Sequence, residues 1–244
     1  MSTEAAMSET RAWRTVLEHI ETQLLDGALR PGDHLPGERA LSAELGVGRS
    51  SVREALRVLE VLGLIRTQAG SGPSAGAVII ATPGGAMSAL MRLQVAASGF
   101  PVADIVRTRL ILESTVAGEL AERLGREASE PIDLSAADRL LDAMDSPALA
   151  PAEFLALDAE FHLALAEASG NQVITATMAG LRSGIEGYAL EGLAHLDDWQ
   201  ATSQRLRGEH RGIVAAIRAA DASSARARTH DHISGYYAET SIHH

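Results

Sequence analysis

The sequence predicts a mainly α-helical protein in two parts: an N-terminal unit of three helices closed by a β-hairpin, then an all-α antiparallel bundle of six to seven helices. Three observations carry this. Apolar residues recur at helical spacing through most of the chain. Two short stretches, 64–68 and 77–81, read as strands around a Gly/Ser/Pro run. Breakers at Gly99-Phe100-Pro101, Ser129-Glu130-Pro131, Ser146-Pro147, Gly170-Asn171 and Ala220-Asp221 cut the second half into helix-length pieces.

Residues 1–10 are polar and are expected to be disordered. Trp13, Val16, Leu17, Ile20, Leu24 and Leu25 then form one stripe of a helix over 13–28, which Leu29-Arg30-Pro31-Gly32-Asp33 breaks. A short helix is expected over 38–45 and a tight turn at Gly46-Val47-Gly48. The next helix, over 50–62, turns Val52, Ala55, Leu56, Leu59 and Leu62 inward, and Gly63 stands where a C′ glycine would end it. With the two strands, this order makes a winged helix-turn-helix over 11–82. Residues 83–86 read as a linker. Helices are expected at 86–98, 103–125, 134–144, 151–169, 173–191, 198–219 and 222–240, forming the bundle over 87–242.

Composition narrows the function classes. There is no Cys, so neither a disulfide framework nor a thiolate metal site is available. No apolar run reaches transmembrane length and no signal-peptide pattern opens the chain, so a cytoplasmic protein without a membrane partner is expected. A net charge of −11 argues against a protein that coats nucleic acid non-specifically. It does not exclude a local basic face, and five Arg against three acids lie between Arg39 and Arg66. Every basic residue is Arg; codon bias accounts for the absence of Lys more readily than function does.

Pro31-Gly32, Leu35-Pro36, Glu38-Arg39, Leu41, Leu45-Gly46-Val47, Arg49, Val52-Arg53-Glu54-Ala55-Leu56, Leu59 and Gly63-Leu64 resemble the winged-helix signature of the GntR family of transcription regulators. The second half resembles the FCD effector-binding domain of the FadR subfamily. Its marks are Arg109-x-x-x-Glu113, Asp158-x-x-Phe161-His162, Ser169-Gly170-Asn171, Glu209-His210 and His232. Together the two resemblances span about 13 to 240.

Arg49 and Arg53 are four residues apart and share one face near the start of the second helix of the pair. That is the end which helix-turn-helix proteins place against base edges. The resemblance assigns DNA contacts to Arg39, Arg49 and Arg53. Ser50 and Ser51 are expected to cap the helix or to donate to phosphate, and Arg57 to meet backbone or solvent. Gly48 replaces the Ser usual before the opening arginine, and Gly is a tolerated N-cap. In the long wing, Gly70 and Gly72 either let backbone approach a minor groove or phosphates, or belong to a flexible hairpin loop.

A second constellation is built on histidine. Asp158 and His162, four apart, project from one helix face. His210 and His232 are equidistant from Asp221 at the turn between two antiparallel helices, each about 16 Å from it at about 1.5 Å per residue. The spacing therefore predicts that the two imidazoles meet. Three histidines and an aspartate, at positions where the family carries a metal, suit a divalent ion: zinc first, nickel or manganese as alternatives. The resemblance places Arg109 in the bundle cavity as a bidentate clamp for a carboxylate effector; the plainer reading is an i,i+4 pair with Glu113. Asn171 is expected to cap the helix from Gln172 and also to line the pocket. His195, His243 and His244 carry only a surface reading.

The resemblance thus implies a ligand-responsive DNA-binding regulator, a repressor of a metabolic operon. It would act as a homodimer on a two-fold double-stranded operator, with a small carboxylate effector bound at a metal centre. Two rivals remain: a helical metalloenzyme with the same three-histidine, one-aspartate centre acting on a small organic acid, and an effector-free repressor with a structural metal.

Overall fold

Two separate hydrophobic cores organise the chain, one within Met1–Ala86 and one within Met87–His244. The computed structural model describes residues 3–68, 76–80, 85–97, 99–126, 131–146 and 148–240. Among these, no helix is long and apolar enough to cross a membrane.

The N-terminal unit is built from α1 (Thr3–Leu25), α2 (Glu38–Leu45), α3 (Arg49–Val61), β1 (Ile65–Gln68) and β2 (Gly76–Ile79). The helix expected to begin at Trp13 begins at Thr3, so most of the segment expected to be disordered is helical. Its Ala, Met and Glu residues are strong helix formers. α3 buries Val52, Ala55, Leu56 and Leu59 against Val16 and Ile20 of α1, Leu41 of α2, and Ile65 and Ile79 of the hairpin. Leu62, expected inward, is exposed because the helix has already ended at Val61. Gly63 adopts φ 68°. Its N–H donates to Glu60 O and that of Leu64 to Leu59 O, the paired bonds of a Schellman termination. β1 and β2 pair antiparallel with Ile65 opposite Ile79. Gly70 and Gly72 lie outside the described residues, so the wing-tip expectation is neither met nor overturned. Of the expected linker, Gly85 and Ala86 instead open a helix.

The second unit is helical throughout: α4 (Gly85–Ala96), α5 (Val102–Leu124), α6 (Ser135–Met144), α7 (Pro151–Ala168), α8 (Gln172–Gly192), a short 3-10 turn (Leu193–His195), α9 (Trp199–Arg218) and α10 (Ala222–Thr240). Seven α-helices are thus described in or leading into the bundle, within the expected number. α5 runs through the middle and packs against α7, α8, α9 and α10. Its buried stripe is Ile105, Arg109, Glu113, Val116, Ala117 and Leu120, a helical repeat in which two charged residues occupy core positions. α9 buries Leu206, His210, Ile213, Val214 and Ile217; α10 buries Ala225, Thr229, His232, Ile233 and Tyr236. The two are joined by a turn in which Ala220 takes φ 58°, uncommon for a residue with a Cβ. There the Asp221 N–H donates to Ala216 O, and the Asp221 side chain caps α10 by accepting from the Ser224 N–H. α4 approaches α8 closely at two glycines: a Cβ on Gly184 would stand 2.7 Å from Val95 Cγ1, and one on Gly180 2.7 Å from Met91 Cβ.

The turn between α2 and α3 offers a clean test of backbone conformation. Gly46 has φ 64° with nothing within 4 Å of an added Cβ. A side chain there meets only conformational strain, so Gly46→Ala is expected to cost the N-terminal unit about 1 kcal/mol. Gly46→Asn should cost less, because Asn tolerates the left-handed region. Urea unfolding of the two variants measures the difference; equal costs would show that strain at this φ is not the cause.

Candidate functional site

Four side chains from three helices converge in the interior of the bundle. Asp158 and His162 stand one turn apart on α7, His210 comes from α9 and His232 from α10. His162 Nε2 lies 3.1 Å from His232 Nε2, and His210 Nε2 lies 3.2 Å from His232 Nε2. Asp158 Oδ1 is 2.9 Å from His210 Nε2 and 3.8 Å from His232 Nε2, while its Oδ2 is 3.9 Å from His162 Nε2. All four donor atoms fall within 4.8 Å of one another, and all four residues are buried. The turn at Asp221 brings His210 and His232 to the same level of the bundle.

The outer nitrogens of the imidazoles explain why this cluster suits a cation. Glu209 Oε2 lies 2.8 Å from His232 Nδ1, and Glu113 Oε2 approaches His162 Nδ1 at 2.5 Å. A carboxylate beside Nδ1 holds the ring proton on that nitrogen and leaves the lone pair on Nε2. His232, whose Nδ1 is hydrogen-bonded to Glu209, then directs its Nε2 lone pair into the cluster, 3.1 Å from His162 Nε2. A lone pair so placed is ready to bind a positive centre. The separations also match two nitrogens bound to one zinc, which stand about 3.3 Å apart at bond lengths of about 2.0–2.1 Å in tetrahedral geometry. The donor set therefore fits a divalent ion.

Electrostatics point the same way. Burial opposes charge on Asp158, but the His210 hydrogen bond and the neighbouring imidazoles outweigh it and hold the carboxyl below its usual range. Burial also opposes charge on Glu113, where Arg109 and His162 prevail and bring the pKa to about 2. Burial lowers His210, against the pull of Asp158. Burial and the neighbouring His210 lower His232 to about 4, in spite of Glu209. Ionised carboxylates and neutral imidazoles are the forms that bind metal.

Arg109 sits one turn from Glu113 on α5 and is buried with it. Its Nε donates to Glu113 Oε1 at 2.6 Å and its NH1 to the Tyr188 hydroxyl, while NH2 is buried without a hydrogen-bond partner. The i,i+4 pair is therefore formed, and one guanidinium N–H pair remains unsatisfied. Glu113 bridges Arg109 to His162, so the arginine is linked to the histidine cluster through one carboxylate. The small cavity beside His162, bounded by Val116, Leu165, Ile174 and Met178, has a volume of about 10 Å³, about enough for one water. Asn171 does not line this interior. It is exposed, and its side-chain oxygen accepts from the Val173 and Ile174 N–H groups as the N-cap of α8. Asn171 thus fills the capping role expected of it, and its exposed position keeps it out of the interior cavity.

In the N-terminal unit, Arg39, Arg49, Ser50 and Arg53 are exposed, with Arg49 and Arg53 on one face of α3. Ser51 is buried in the core and is not placed to meet a phosphate. Neither serine caps α3: the N-cap is Gly48, and Ser50 and Ser51 already lie inside the helix. The sequence reading gave Glu38 no role beyond the signature that carries it; its carboxylate binds Arg53 through two hydrogen bonds. It also left out Tyr188 and gave Glu209 no role beyond the motif that carries it. Glu209 precedes a cluster histidine in sequence, a usable signal; Tyr188 stands 79 residues from Arg109 and carries none.

Comparison with known proteins adds the family context. Residues 13–73 match bacterial regulatory proteins of the gntR family, and residues 104–235 match the FCD domain. The chain is 31% identical over 229 residues to the HTH-type transcriptional repressor NanR of Cronobacter sakazakii, covering 91% of this chain and 83% of that protein. It is 29% identical over 203 residues to the Glc operon transcriptional activator of Escherichia coli (strain K12), covering 83% of this chain and 78% of that one. Among solved structures, Streptococcus agalactiae GntR superposes with a TM-score of 0.58 at 25% identity, covering 91% of this chain and 97% of that chain.

The depressed pKa values of His210 and His232 set a pH dependence. Between the unfolded value of about 6.5 and the folded His232 value of about 4, the unfolded chain binds more protons than the folded one. Stability is therefore complete above about pH 6.5 and is lost as the pH falls through this window. The low carboxylate pKa values of Asp158 and Glu113 extend the loss to lower pH, with the same sign. In the presence of a chelator, thermal unfolding of the bundle is expected several degrees lower at pH 5 than at pH 7.5. An unchanged midpoint would contradict the assignment of buried neutral histidines.

Proposed function

Because the chain belongs to the GntR family of bacterial regulatory proteins and carries an FCD domain, we propose that it is a metal-dependent, carboxylate-responsive regulator of a metabolic operon. It is a transcription regulator rather than an enzyme, and the metalloenzyme reading of its histidine cluster falls. Asp158, His162, His210 and His232 hold a divalent ion, zinc before nickel or manganese, with Glu113 and Glu209 orienting two of the imidazoles. The observation that carries this is the meeting of the His162 and His232 Nε2 atoms while their Nδ1 atoms face carboxylates.

One carboxylate and three neutral imidazoles around a divalent ion leave a net positive centre, and the ion supplies a Lewis-acidic anchor for a small carboxylate. Arg109, with its unsatisfied NH2 one carboxylate away from His162, supports an anionic effector. The effector carboxylate accepts from the unsatisfied NH2 of the guanidinium, a charge-assisted bond. The cavity beside His162 is too small for such a molecule as it stands, so effector binding opens the bundle locally. That opening is the conformational difference through which a ligand biases DNA binding.

On the DNA side, Arg49 and Arg53 enter the major groove from α3 and Arg39 reaches phosphate or base. A homodimer presents two copies of α3 to the half-sites of a two-fold operator. Among the relatives, NanR is named a repressor and the Glc operon protein an activator.

Two experiments check the two halves. The double variant Arg49→Ala/Arg53→Ala should lose sequence-specific binding to a duplex that the full wild-type chain enriches from a randomised pool; a mobility shift identical to wild type would refute the DNA reading. The double variant His210→Ala/His232→Ala should lose its bound metal by elemental analysis, and full occupancy would remove the site assignment. A thermal-shift panel of small carboxylates, with metal present and with it chelated, then separates an effector site from a purely structural ion: stabilisation that needs metal supports the former.

A further inference from the structure

Glu38 opens α2, and its carboxylate crosses to the exposed face of α3. Arg53 Nε donates to Glu38 Oε1 at 3.2 Å and Arg53 NH2 to Oε2 at 3.0 Å, while Arg49 NH2 stands 4.0 Å from the same Oε2. All three side chains remain accessible, Arg49 at 63%, Arg53 at 53% and Glu38 at 31%. An ion pair this exposed adds little to stability. The α2–α3 packing it spans is already secured by Leu41, Val52 and Leu45. Stability therefore does not explain the pair, but its geometry has a directional consequence.

A guanidinium carries five N–H donors in a rigid plane. Glu38 takes the side formed by Nε and one NH2 proton. The other end, formed by NH1 and the second NH2 proton, has no partner among the described residues and makes a second fork. Two parallel donors of this kind match the O6 and N7 acceptors of guanine in the major groove. We propose that Glu38 is a positioning residue for sequence recognition: it grips one edge of Arg53 so that the other is presented, already oriented, to a guanine. This role rests on the reading of α3 as the helix that enters the groove.

Two features reinforce it. The Arg53 hydrogen bond holds the Glu38 carboxyl below its usual range, so the grip is charged at neutral pH. A carboxylate beside Arg49 and Arg53 also weakens attraction to phosphate in general, in keeping with a chain whose net charge is −11. Glu38 thus gives up non-specific affinity and makes Arg53 discriminating.

The test uses the full chain as wild type, Glu38→Gln, Arg53→Ala and the double variant. Affinities are measured by fluorescence anisotropy on a duplex enriched from a randomised pool by the wild-type chain, on each of its single-base-pair variants, and on an unselected duplex. Glu38→Gln is expected to bind the unselected duplex at least as tightly as wild type. It should lose about tenfold in discrimination at one base pair, the same one at which Arg53→Ala loses it. Added to Arg53→Ala, it should cause no further loss, and its melting temperature should match wild type. Glu38→Gln that binds the enriched duplex more tightly with discrimination intact would make Glu38 a competitor of DNA for Arg53 and overturn the proposal. Unchanged discrimination in Glu38→Gln, with loss in Arg53→Ala, overturns the role of Glu38 alone. Unchanged discrimination in Arg53→Ala overturns the DNA reading of that arginine together with it.

Discussion

The bundle depends on one constraint: an aspartate, three histidines and a charged pair are buried together, and none of them can be buried alone. An isolated ionised group inside a protein is strongly unfavourable, and even a neutral polar group needs a partner there. The helices are arranged so that each has one. Asp158 meets His210, His232 meets Glu209, and Glu113 lies between Arg109 and His162. Removing one member would leave the others buried without compensation, which is more costly than never burying the set. The central position of α5, which carries both Arg109 and Glu113 on its core stripe, follows from that mutual dependence.

The same constraint makes the site suitable for control. A well-satisfied apolar core has no reason to change when a small anion arrives. Here one guanidinium NH2 and the Nδ1 of His210 stay buried and unpartnered, and the Glu113 contact with His162 is close but not aligned as a hydrogen bond. Such incompletely satisfied groups are held in place by the packing of Phe161, Leu165, Ile213 and Ile233 around them. They favour any ligand that completes them, and a ligand with that differential affinity is what an allosteric equilibrium requires.

The N-terminal unit works by a contrasting economy. Its core is small and apolar, and its charge lies outside, on a few arginines that share a face. In a chain this acidic, broad electrostatic attraction to DNA is weak. Recognition then depends on placement, and the Glu38–Arg53 pair is the placement visible on that face.

Much of this was legible in the residues themselves. Periodicity and breakers are local properties, so the helix spans, the hairpin and the positions of Gly46 and Gly63 could be read directly. The meeting of His210 and His232 followed from equal distances to one turn, again a local rule. The local exceptions are local too: Ser50 and Ser51 lie two and three residues past the Gly48 cap, and helix propensity before Trp13 outweighs polarity. The pairings that give the sites their chemistry had no such signal. Tyr188 on Arg109, Glu113 on His162 and Glu38 on Arg53 join residues 79, 49 and 15 positions apart. Which of many carboxylates reaches which nitrogen is decided by how helices rotate and slide against one another as their cores close. The sequence by itself determined which elements form and which donors they carry; only the packing of those elements decided which donors are paired, which are left over, and where a ligand would matter.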